Sequence, residues 1–179
     1  MKVRLSARAG GAHLSYCTNI HAGETWEAHF ANLQEYIPQV KRRLSAEESF
    51  GIGLRLSAAA ARALSEPEHL ERFKGWLADN DCYVFTINAF PYGPFHGTRV
   101  KQGVYQPDWS SPERLRYSNE VAVLLAQLLS EQADLAGSIS SVPGCFRPLA
   151  DQRSRAVITE HLLEHALTLW QLAQTSGKT

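Results

Sequence analysis

Two groups of residues in this chain have side chains suited to work on a small polar molecule. The first stands where strand-like segments end: Asn19 and His21, Arg55 and Ser57, Thr86 and Asn88, Ser138 and Ser140. Amide and hydroxyl side chains both donate and accept, so they suit sugar-like hydroxyls, while a guanidinium neutralises a carboxylate or phosphate. The second is the segment from Phe90 to Trp109, where Phe90, Tyr92, Phe95, Tyr105 and Trp109 are interleaved with His96, Arg99, Lys101 and Asp108. Aromatic walls with a few polar groups are what a small-molecule site requires. The expected binding residues are Asn19, His21, Arg55, Asn88, Phe90, Tyr92 and Trp109, and His96 and Lys101 are the expected proton carriers. Plain solvation of strand ends competes with this reading, as does a loop that merely plugs the end of the fold. An Arg55 without an anionic partner inside a strand favours the site, because burying a lone cation is expensive.

The elements that must position these groups alternate. His13–Ile20 has period-2 character and β-favouring residues. Trp26, Phe30, Leu33, Ile37, Val40 and Leu44 follow at steps of 4, 3, 4, 3 and 4, which is one face of a helix, with a kink expected at Pro38. Phe50–Leu56 is a second strand, and Ser65-Glu66-Pro67-Glu68 signals a helix start by capping-box spacing. Cys82–Asn88 is the third strand, and a long loop from Ala89 to Ser110 leads to a helix from Pro112 to Leu129 capped by Ser111. A weaker strand lies in Gly137–Pro143, and a last amphipathic helix runs from about Ser154 to Ala173. The βαβαβαβα order demands parallel strands joined by helical crossovers, within one domain over residues 1–179. In such sheets, ligands sit at the carboxyl ends of the strands, where the polar residues gather.

Composition narrows the function classes. Lys plus Arg and Asp plus Glu are both 18, so the net charge is 0, which argues against nucleic-acid binding and against a polybasic membrane surface. No apolar run is long enough to span a bilayer, and Met1–Arg8 does not read as a secretory signal. Cys17, Cys82 and Cys145 are odd in number and lack CxxC spacing, so they read as reduced thiols of a cytoplasmic protein. His161-Leu-Leu-Glu-His165 matches an inverted zinc-peptidase pattern, but a third ligand is needed far downstream, so an interhelical or solvated pair is the expectation.

Four stretches are distinctive as wholes: Leu14–Trp26, Gly53–Ser57, Phe85–Gly97 and Val100–Trp109. They resemble the EboE-type metabolite traffic proteins, a xylose-isomerase-like TIM-barrel family associated with biosynthetic gene clusters of secondary metabolism. The resemblance implies an α/β fold of four βα units forming half of a (β/α)8 TIM barrel, parallel strands with outer helices, since a whole barrel needs about 250 residues. It implies isomerase or epimerase chemistry on a small polar metabolite, with a non-catalytic binding or trafficking component as the alternative. It also implies a divalent metal (Mn, Mg or Zn) in the complete barrel, with no ligand assignable from this chain. A half barrel leaves open edges, so self-association, or completion by a missing C-terminal half, is expected.

Overall fold

A computed structural model of the chain describes residues 1–6, 10–93, 101–130 and 135–178. Four strands form its main sheet: β3 (Ser15–Cys17), β4 (Phe50–Arg55), β5 (Cys82–Asn88) and β6 (Ser138–Ser140), all parallel and ordered in space as in sequence. A separate antiparallel hairpin, β1 (Lys2–Ser6) and β2 (Gly10–His13), precedes them. The crossovers are α1 (Trp26–Leu44), the pair α2 (Ala58–Leu64) and α3 (Pro67–Asp79), and α4 (Pro112–Leu128), with α5 (Gln152–Ser176) following β6. The expected alternation and the mixed α/β architecture are present. None of the described helices is long and apolar enough to cross a membrane.

One face of the sheet makes the core. Phe50, Ile52 and Leu54 of β4 and Val84 and Ile87 of β5 are buried against Phe30, Leu33 and Ile37 of α1, Leu64 of α2, Phe73 of α3 and Val121 and Leu124 of α4. The period-4/3 stripe read for α1 is the stripe that enters this core, and the helix continues through Pro38. Each such side chain contributes about 1.5–3 kcal/mol by leaving water, which is what holds a short four-stranded sheet flat against its helices.

Three elements differ from the sequence reading, each for a local reason. The strand expected over His13–Ile20 is two strands, because Leu14 pairs with Met1 through both backbone groups (2.8 and 2.9 Å) and so extends the hairpin's ladder at its open end. The strand stops at Cys17 because Thr18 Oγ1 accepts the Arg55 N–H at 2.9 Å, and residues Thr18–Ile20 coil into a 3-10 turn carrying Asn19. The helix expected to start at Ser65 is preceded by α2, whose Ala-rich sequence has high helix propensity and whose N-terminus is capped by Ser57. Ser65 therefore closes α2, its hydroxyl donating to Ala61 O at 2.9 Å, and α3 begins at Pro67 without a side-chain cap.

Candidate functional site

The second face of the sheet is polar toward the carboxyl ends of its strands, while at the other end it carries Tyr83 and Phe85, on which His13 of β2 packs. Parallel register sets Ser15 and Cys17 beside Gly51 and Gly53, then Thr86 beside Gly53, Asn88 beside Arg55, and Ser138 and Ser140 beside Thr86 and Asn88. The register slips between Ile52 and Gly53, and β5 carries one extra residue there. That bulge lets Phe85 and Thr86 turn to the same face, so the apolar Val84 and Ile87 reach the core while Thr86 and Asn88 do not. Glycines make the crowded middle of this face possible. A Cβ on Gly53 would sit 3.0 Å from Ser15 Oγ and 3.1 Å from Thr86 Cγ2, and one on Gly51 would collide with Leu14 O.

Hydroxyl and amide groups form a ladder across the carboxyl ends of β5 and β6. Ser138 Oγ donates to Thr86 Oγ1 at 2.8 Å, and Ser140 Oγ donates to Asn88 Oδ1 at 3.0 Å. The same Asn88 oxygen accepts the Phe90 N–H at 3.0 Å, which fixes the turn out of the strand. Ser138 and Ser140 are exposed, and Thr86 and Asn88 are half-buried. Both serine hydroxyls and the Asn88 amide NH2 retain capacity for a ligand's hydroxyls.

Arg55 is not the lone cation that the sequence left it. It is fully buried, its Nη1 lies 3.2 Å from Glu24 Oε2, and its Nη2 donates to Gly23 O. Ser57 Oγ adds a bond to Glu24 O at 2.7 Å, so the loop from β3 to α1 is strapped down on the end of β4. Arg55 thus serves as an anchor with its charge answered inside the protein. His21 lies in the same strap: its Nε2 is 3.0 Å from Tyr16 Oη and its ring stacks on Tyr36 at 4.6 Å. Beneath them is His29 of α1, 1% exposed, with neither ring nitrogen hydrogen-bonded among the described residues. Burial first, then the charges of Arg55 and His21, push its pKa down from 6.5 to about 4, so it is neutral. No three His, Cys, Asp or Glu side chains among the described residues come together as a metal-ligand group.

The aromatic residues of the long loop split into two groups. Phe90 meets Tyr105 edge-on at 5.7 Å, and Tyr92 meets Tyr117 edge-on at 5.2 Å. Arg114 of α4, which carries no signal in the sequence beyond its place in the helix's first turn, joins them. Its guanidinium lies over Tyr92 and Tyr117 and donates to Pro107 O (2.8 Å), Ala89 O (2.8 Å) and Phe90 O (3.2 Å). Both ends of the loop are thereby stapled to α4, and burial pulls the Arg114 pKa below its ordinary value. Trp109, expected to stack on a ligand, is instead buried, its Nε1 donating to Val142 O at 3.0 Å. His96 lies outside the described residues, as does the Lys101 side chain, although Lys101 opens a 3-10 turn reaching Tyr105.

No known protein family, curated protein or solved structure matches this chain.

Two further features are built on α5. His161 Nδ1 donates to Trp109 O at 2.8 Å and His165 Nδ1 donates to Asn119 Oδ1 at 2.6 Å, so the His-x-x-Glu-His pair ties α5 to α4 and the loop. A cavity of about 560 Å3 opens between α4, α5 and β6, lined by Leu125, Leu129, Ile139, Val142, Leu162 and Leu169 among others. Trp109 borders it, as does Ser138 of the ladder, and the other expected binding residues do not.

Proposed function

We propose that the chain is half of a (β/α)8 barrel, and that it binds a small polyhydroxylated metabolite on the polar face at the carboxyl ends of its strands. The observation that carries this reading is the two-faced sheet. Its strands run in sequential parallel order, the core-forming helices pack on one face, and the other face holds a hydroxyl-amide ladder where a barrel's interior and mouth would be. A doubly wound sheet would instead bury both faces under helices. Binding is favoured over acid-base chemistry by the charged groups at the rim: Arg55 is answered by Glu24, His21 is held by Tyr16, and His29 is buried and neutral. The role is that of a metabolite-binding or trafficking component. The isomerase or epimerase chemistry implied by the resemblance would draw its proton carriers from His96 and Lys101.

Thermal shift against a panel of pentoses, hexoses, polyols and their phosphates tests the reading. A polyol or sugar is expected to raise Tm, and Ser138→Ala with Ser140→Ala is expected to weaken binding about tenfold, as for loss of one or two hydrogen bonds. No shift with any member at millimolar concentration would overturn the proposal, as would unchanged affinity in the double variant.

A further inference from the structure

Resting on the half-barrel reading, we infer that the partner completing the sheet is a second copy of this chain, joined through both open edges. Among the described residues, eleven large apolar side chains are exposed, and ten of them lie in the first or last βα unit or its flanks. Ile20, Tyr36 and Leu44 belong to the β3–α1 border, and Leu163, Leu167 and Trp170 belong to α5 beyond β6. The middle of the molecule contributes only Val123. Apolar exposure is therefore not scattered, as on an ordinary surface, but gathered at the two ends of the strand order.

Both borders end in an open strand edge, and the β6 border is unfinished in two further ways. Each border strand is hydrogen-bonded on one side only, since β3 and β6 end the sheet. At the β6 border the helix shows an apolar stripe to solvent: Leu163, Leu167 and Trp170 recur at steps of 4 and 3, and the 25-residue α5 buries only Ile158. A helix of that length gains its stability from packing, and α4 leaves this stripe uncovered. At the β6 border there is also the apolar cavity of about 560 Å3 between sheet and helix. A small molecule would fill that cavity and leave the strand edge and the stripe untouched. A docking strand and helix satisfy all three.

A second copy brings that strand and helix. A two-fold axis along the strand direction keeps every strand parallel, sets β6 of one copy against β3 of the other, and repeats the contact across the ring, leaving no open edge. Net charge is 0, so no overall repulsion opposes the pairing. Ten side chains per copy, at on the order of 100 Å2 each, give roughly 2,000 Å2 in total, within the range of obligate dimers.

Light scattering at micromolar concentration is expected to give twice the 19.9 kDa chain mass. Leu163→Glu with Leu167→Glu on one border, and Ile20→Glu on the other, should each weaken dimerisation at least a hundredfold while leaving the far-UV circular dichroism per chain unchanged. Mixing the two variants restores one intact seam and should recover heterodimer. A monomeric wild-type chain overturns the inference, as do open-ended oligomers or association indifferent to both variants. Because the Ser138 and Ser140 binding test reads Tm with added metabolite, a monomer that still binds sugar removes the dimer and leaves the binding role standing.

Discussion

Acidification from pH 7.5 to 5 should destabilise this protein, and most of the loss should come through His29. His29 is 1% exposed, packs against Trp26 at a ring distance of 6.1 Å and has no hydrogen-bond partner on either nitrogen among the described residues. Facing it are Arg55 and His21, which oppose a positive charge, and Glu24, which favours one but is already bonded to Arg55. In the unfolded chain the imidazole titrates near 6.5, and in the folded chain at about 4. The folded state binds its proton more weakly, so stability is full above pH 6.5 and falls as the pH drops toward 4. At 1.36 kcal/mol per unit the whole effect is about 3 kcal/mol, of which about 2 kcal/mol is lost by pH 5. Urea unfolding of the wild type and of His29→Leu, followed by tryptophan fluorescence between pH 7.5 and 5, measures it. His165 has a pKa lowered by burial and adds a slope of the same sign to both proteins, so the difference between them isolates His29. Parallel pH profiles for the two proteins would refute the assignment.

Arg114→Met keeps most of the side-chain volume but removes the donors from Ala89 O, Phe90 O and Pro107 O. It should cost about 2–4 kcal/mol, read as a lower urea midpoint at unchanged slope. The three thiols should react in order with an aromatic disulfide reagent at pH 8. Cys17 is exposed and should label first, while Cys82, whose pKa burial raises to about 11, should stay unlabelled until the protein unfolds.

The amino-acid sequence alone determined the alternation of strands and helices, because apolar periodicity is a local property. The stripe from Trp26 to Leu44 and the run Cys82–Asn88 correspond to α1 and β5 as they stand. It also placed the polar groups at the carboxyl ends of the strands, since their alternation with apolar neighbours is visible residue by residue. Which of those groups remain available is a tertiary matter. Glu24 lies 31 positions from Arg55, and no spacing rule connects a loop carboxylate to a strand guanidinium until the β3–α1 loop folds back over β4. Trp109 and Arg114 were settled the same way, one sinking onto Val142 and the other gathering carbonyls from both ends of a loop. The bulge opposite Gly53 is the clearest case. Strict alternation would place Phe85 and Thr86 on opposite faces, and only pairing with β4 puts both on the polar one. A side chain's face is fixed by register, and register depends on a partner strand distant in sequence.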